Sequence, residues 1–187
     1  FWGHGEDTWP SNTHREANHI PLIIKSPAQS NGGQTSEQMV GTIDLYSTVL
    51  DYTGSDGPDP AETSSQSLRT LIDDPDADWR DAVFMEQEET RSIRTRQWLF
   101  MQRYGPTDFD FHNELYDLEA DPGERNNLAE DPQFRSVVDT LTTRITEQFE
   151  KFSNPKWNLW NGGSVKSNSG RPFLWRDVWG EDWKPTF

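Results

Sequence analysis

The side chains of this sequence that could work on an anion gather in two short stretches. In the first, His14-Arg15-Glu16-Ala17-Asn18-His19 sets one arginine between two histidines. Arginine offers a planar, permanently charged fork to an oxyanion. The histidines stand five apart. A helical zinc pair needs a spacing of four, so the two do not share one helix face. Against a binding role stands a plainer one, in which His14 and Arg15 are exposed residues at a polar helix start and His19 is a hydrogen-bonded structural histidine. In the second stretch, Arg91, Arg94 and Arg96 alternate with Ser92, Ile93 and Thr95. Strand periodicity puts Arg94 and Arg96 on one face, where they could meet a substrate anion at a sheet edge. They could equally pair with Glu86, Glu88 and Glu89. That acidic cluster could hold a cation or be a solvated sheet edge.

Elements must position these groups, and the sequence reads as an α+β chain. After a polar opening, His19-Ile20-Pro21-Leu22-Ile23-Ile24 is a short apolar run that predicts a buried strand. Residues 26–36 form a Gly/Asn/Ser/Gln loop. Ser36 would cap a helix running to Tyr52, with Met39, Ile43, Tyr46, Val49 and Leu50 at helical spacing and Gly54 as the stop. Leu68, Leu71 and Ile72 predict a short helix ending before Pro75. From Asp81 the pattern changes. Ala82-Val83-Phe84-Met85, residues 90–96, residues 98–103 and residues 113–118 predict consecutive strands with short links, hence an antiparallel sheet. Asp131-Pro132 then opens the strongest helix, Asp131 as N-cap and Pro132 where its missing N–H is harmless. Phe134, Val137, Val138, Leu141, Ile145, Phe149 and Phe152 keep a 3.6-residue period and should cover the sheet. Beyond residue 152 five tryptophans stand among Gly, Asn and Pro, a pattern that fits no long helix or strand.

Composition limits the function classes. The chain has 187 residues, 32% of them hydrophobic, and a net charge of -15. Such acidity argues against nucleic-acid binding and against attraction to anionic membranes. Acidic residues number 32 against 17 bases, and the bases are mostly arginine. This is the pattern of a protein kept soluble at high salt, or of an ordinary acidic protein. There is no cysteine, so neither a disulfide framework nor a thiolate metal site is expected. No apolar run approaches the roughly 20 residues of a membrane span. The first residues, Phe1-Trp2-Gly3-His4-Gly5, read as the middle of a domain.

The most informative segment is residues 114–129, ELYDLEADPGERNNLA. Leu115, Tyr116 and Leu118 continue the strand. Asp121-Pro122-Gly123 is a strong turn, with Gly123 able to take positive φ, and a polar helical turn over residues 124–129 should follow. This order resembles the ELYDL..DP.E..NLA signature of type I sulfatases, in the alkaline phosphatase superfamily. Other segments agree in order. HIPLII at 19–24, VGTIDL at 40–45 with LDYTG at 50–54, and RSIR at 91–94 with QWL at 97–99 are each similar to a family element. The resemblance covers roughly residues 3–151.

The resemblance implies the C-terminal portion of a sulfuric ester hydrolase. It implies three regions: residues 1–80 as the end of the α/β catalytic domain, residues 81–152 as an antiparallel subdomain with its packing helix, and residues 153–187 as a Trp-rich irregular tail. Family members use a divalent cation, typically calcium, and a formylglycine made from the Cys or Ser of a C/S-x-P-S-R motif. Neither version of that motif occurs here. The expected partner is therefore an N-terminal catalytic half of the same protein, and the chain alone should not turn over. His4 looks like the histidine of a G-x-H-G step. The family then places a sulfate-binding lysine where this chain has Thr8-Trp9-Pro10-Ser11-Asn12, so the resemblance points to His14 or Arg15 as replacements. His19 falls where the family carries Arg or His before its strand, and Arg94 is a further substrate-binding candidate. A sulfated carbohydrate is the expected substrate, because the tail tryptophans could stack on sugar rings. They could also pack on the rest of the protein. A noncatalytic glycan- or partner-binding module, and a phosphate or phosphonate ester hydrolase of the same superfamily, are the alternatives.

Overall fold

The computed structural model describes residues 13–26, 32–57, 62–87, 90–103, 112–155, 158 and 160. His4, Glu88, Glu89 and most of the Trp-rich tail lie outside them. Four strands, β1 (Ala82–Gln87), β2 (Thr90–Thr95), β3 (Trp98–Arg103) and β4 (Glu114–Asp117), form an antiparallel sheet in sequence order. The register pairs Phe84 with Ile93, Ile93 with Phe100 and Phe100 with Leu115. One row of apolar side chains therefore crosses the whole sheet. The β2–β3 link closes on Thr95, whose hydroxyl accepts from the Trp98 N–H at 2.8 Å.

As the sequence predicts, a helix covers that row. Asp131 accepts the Gln133 N–H at 2.9 Å and opens a 3-10 turn, Pro132–Phe134, that leads into α4 (Arg135–Phe152). Leu141 and Ile145 bury against Ala82, Ile93, Phe100 and Leu115, with Phe134, Val137, Val138 and Phe149 packed around them. Roughly 1.5–3 kcal/mol per fully buried side chain makes this the main source of stability in the subdomain. Strand alternation sends Leu99, Met101 and Tyr116 to the opposite face, where Met85 and Leu118 join them.

The segments before the sheet differ from expectation in two places. Residues 19–24 are not a strand. No strand among the described residues offers them backbone partners, and Ile20, Leu22 and Ile23 stand exposed, Ile23 at 92%. The predicted helix from Ser36 starts later, as α2 (Asp44–Thr53). Ser36 instead donates to the Pro75 carbonyl at 2.9 Å, and the Asp44 carboxylate accepts the Gly41 N–H at 2.8 Å, setting the start of the helix itself. The stop falls where the sequence puts it, on Gly54 at φ 65°. The short helix before Pro75 is α3 (Arg69–Asp73), and a single helical turn, α1 (Arg15–Asn18), precedes them all.

Candidate functional site

The chain turns sharply after β4, and that turn builds the site. Asp117 Oδ1 accepts from Glu119 N and Ala120 N, and Asp121 Oδ2 accepts from Arg125 N and Asn126 N. The left-handed backbone position falls on Glu124, at φ 53°, and not on the glycine before it. A non-glycine residue there costs about 1–2 kcal/mol. The expected helical turn over residues 124–129 does not form. Asn127 and Leu128 fold back onto β4 instead, with Leu128 N donating to Leu115 O at 2.8 Å and Leu115 N to Asn127 Oδ1 at 3.0 Å. The signature therefore closes the free edge of the sheet.

Its conformation drives Glu124 inward, to 1% exposure. One carboxylate oxygen, Oε1, accepts from Arg94 Nη1 at 2.7 Å. The other, Oε2, accepts from His14 Nδ1 at 2.9 Å and from the Arg15 backbone N–H at 3.0 Å. Burial by itself would raise this carboxyl. The bonds from His14, Arg94 and the Arg15 N–H, with the Arg94 charge, overcome it and bring the pKa down from 4.5 to about 2. An ionised carboxylate only accepts, so His14 Nδ1 carries the proton of this bond.

A second carboxylate faces the other side of the same imidazole. Glu114 Oε2 lies 3.6 Å from His14 Nε2 and accepts from the Tyr116 hydroxyl at 2.6 Å, while its Oε1 pairs with Arg103. Arg103 in turn donates to the Thr90 hydroxyl. The His14 ring also packs on Tyr116, with centroids 5.5 Å apart. This face of the sheet is thus buried but polar. Ser92, opposite Met101 on this face, has a buried hydroxyl without a hydrogen-bond partner among the described residues.

Two of the candidate side chains, His14 and Arg94, meet on Glu124, which also accepts the backbone N–H of Arg15. His14 is buried at 2% exposure and bonded to Glu124. Arg15 starts α1 with its side chain exposed, its Nε donating to His19 Nδ1 at 3.4 Å. Arg94 reaches the same carboxylate from β2. His4 lies outside the described residues. Strand periodicity would put Arg96 on one face with Arg94, but β2 ends at Thr95, and Arg96 bonds Gln38 at 3.2 Å and does not join the cluster. Arg91 takes the glutamate pairing, with Nε on Glu86 at 2.8 Å, and its guanidinium stacks on Phe149 and on Trp160.

The residue that sequence reasoning missed is Glu124. It was visible as the acidic member of the signature, but the turn chemistry assigned positive φ to Gly123 and left Glu124 in a solvated helical turn. A second buried carboxylate was missed as well. Asp44 is fully buried and accepts from Arg80 at 2.6 Å and from the Gln66 N–H at 2.9 Å, tying α2 to the chain that leads into β1.

Among the described residues no group of three or more His, Cys, Asp or Glu side chains is placed to hold a metal ion. No helix among them is long and apolar enough to cross a membrane. The cation and the formylglycine implied by the resemblance are assigned to no residue of this chain.

Residues 11–151 match the family described as N-sulphoglucosamine sulphohydrolase, C-terminal. An N-acetylglucosamine-6-O-sulfatase of Bacteroides thetaiotaomicron is 29% identical over 80% of this chain and 28% of its own length. Arylsulfatase K of Rattus norvegicus is 23% identical over 89% of this chain and 32% of its own. A solved structure in complex with its substrate, D-glucosamine-2-N,6-O-disulfate, superposes with a TM-score of 0.59 at 27% identity, covering 70% of this chain and 28% of that one. The chain thus spans less than a third of the length of these relatives.

Proposed function

The chain belongs to the sulfatases, as a C-terminal domain of the N-sulphoglucosamine sulphohydrolase type, and from that premise we propose that it completes the substrate site of a sulfuric ester hydrolase acting on sulfated amino sugars. The observation that carries this reading is the Glu124 carboxylate, which holds the Arg94 guanidinium and the backbone N–H of Arg15, whose own side chain stands exposed beside His19. A sulfate ester presents three non-bridging oxygens that share its negative charge while the leaving oxygen gains charge during cleavage, and cations fixed in advance hold and stabilise such an anion. Arg15 is the exposed cation of the group and takes the role of the lysine that the family places nearby. Arg94 supplies a second guanidinium from the sheet. The amino-sugar class is supported by the relative named N-acetylglucosamine-6-O-sulfatase and by the structure that holds D-glucosamine-2-N,6-O-disulfate.

The chain supplies neither a nucleophile motif nor, among its described residues, a metal cluster. It works with an N-terminal half of the same protein. The exposed apolar side chains support that partner. Ile20, Leu22 and Ile23, with Ile43, Leu45, Tyr46 and Val49 around α2, face outward on one side of the sequence order, ahead of the sheet. In the whole enzyme residues 19–24 gain a pairing neighbour and α2 gains a cover.

The test is sulfate release from glucosamine 6-sulfate, measured for the whole enzyme and for the 187-residue chain. The reading expects turnover by the whole enzyme and none by the chain above a heat-killed control. Turnover by the chain alone would contradict the division of labour. A whole enzyme that released phosphate from phosphate monoesters and no sulfate would contradict the substrate class.

A further inference from the structure

Among the described backbone only Glu124, apart from two glycines, sits at positive φ. It is also buried, charged and bonded to segments 30, 109 and 110 residues away. Strained non-glycine backbone persists where the surroundings over-determine it. A glycine occupies the position immediately before, so a turn alone could have put its left-handed residue there. What glycine cannot supply is the carboxylate.

We propose that Glu124 is a positioning residue, whose two oxygens lock the start of α1 and the Arg94 guanidinium into one arrangement and so set Arg15 and Arg94 toward the sulfated substrate. The geometry divides the work between the oxygens. Oε1 holds Arg94 from the sheet side. Oε2 holds the first N–H of α1 together with His14. Helix α1 is one turn long and cannot hold its own orientation, since a single turn nucleates at a loss. Its place is therefore set by what it is bonded to. His14 adds the second tether, seated between Glu124 and Glu114 and stacked on Tyr116. Glu124 touches no substrate in this scheme. It acts through Arg15 and Arg94, which gives the signature after β4 a functional reason beyond closing the sheet edge.

This inference rests on the proposed sulfatase reading, and two variants of the whole enzyme separate the two. Glu124→Gly relieves the backbone and removes the carboxylate. Glu124→Gln keeps an acceptor of the same length and removes the charge. If Glu124 serves only the turn, the glycine variant should match wild type. As a positioning residue, its loss in Glu124→Gly should lower kcat/KM for glucosamine 6-sulfate at least tenfold, with Glu124→Gln recovering part of it. Hydrogen exchange should report the cause in the same variants. The Arg15 N–H should exchange at least tenfold faster in Glu124→Gly, while the β3 amides stay protected. Wild-type kcat/KM or unchanged Arg15 exchange in Glu124→Gly would overturn the proposal. A wild-type enzyme with no sulfatase activity, together with accelerated Arg15 exchange in the variant, would overturn the function reading and leave the tether standing.

Discussion

The two faces of the one sheet are built on opposite principles. Under α4 the face is apolar: Ala82, Ile93, Phe100 and Leu115 meet Leu141 and Ile145 in contacts that need no directed bond. Across the sheet, Leu99, Met101 and Tyr116 share their face with Arg94, Arg103, Glu114, His14 and Glu124, all paired by direction-dependent bonds. An apolar face stabilises. A buried polar face adds less net stability, but it demands one arrangement, because each broken pair leaves a buried charge uncompensated. The face that needs exact placement is the one that carries the candidate site.

Breaking the apolar face should cost most. Leu141→Ala should lower unfolding free energy by about 2–5 kcal/mol, read from urea unfolding followed by circular dichroism. A loss under about half a kcal/mol would remove Leu141 from the core.

The polar face should show itself through pH. Glu124 has its pKa lowered from 4.5 to about 2, so its contribution is whole above pH 4.5 and is lost as pH falls through about 2. The size is on the order of 3 kcal/mol. Wild type and Glu124→Gln should therefore differ in stability at pH 6 and converge toward pH 2. A constant difference across that range would mean that the carboxylate charge contributes nothing.

A smaller effect sits at the edge of the apolar face. Arg91 stacks between Phe149 at 4.2 Å and Trp160 at 4.9 Å and donates to Asn158 at 2.9 Å. Arg91→Lys keeps the charge but loses the planar fork. It should cost about 1–2 kcal/mol, read from the same urea unfolding. Smallest is Asp131→Ala, which removes the cap at the start of the 3-10 turn and should cost about 1 kcal/mol.

The comparison also explains what the sequence could reveal. The helix side of the apolar face was legible, because a 3.6-residue period marks inward positions whatever their partners are: Phe134, Val137, Val138, Leu141, Ile145 and Phe149 all pack there, and of the expected stripe only Phe152 is not in that cluster. The cap at Asp131 and the stop at Gly54 follow from local chemistry and fell where expected. The polar face was legible only as a set of candidates. Arg15, His14, His19 and Arg94 stood out by type, but the carboxylate that holds His14, Arg94 and the Arg15 N–H lies as many as 110 residues away and carries no periodicity. Its left-handed backbone hid it further, since a glycine beside it was the expected bearer of positive φ. The run at 19–24 departs from its pattern for a related reason. Its apolar pattern describes a strand, but a strand also needs a neighbour, and none of the described residues provides one.

Arg15 is where the account can be tested most directly. In the whole enzyme, Arg15→Ala should lower kcat/KM for glucosamine 6-sulfate by ~10²-fold or more, as expected for losing a donor that stabilises developing charge. The stability of the chain should stay unchanged, because the Arg15 side chain is exposed and only its backbone N–H is held by Glu124. An unchanged kcat/KM in Arg15→Ala would return Arg15 to the surface and contradict the reading of this face as the wall of a sulfate site.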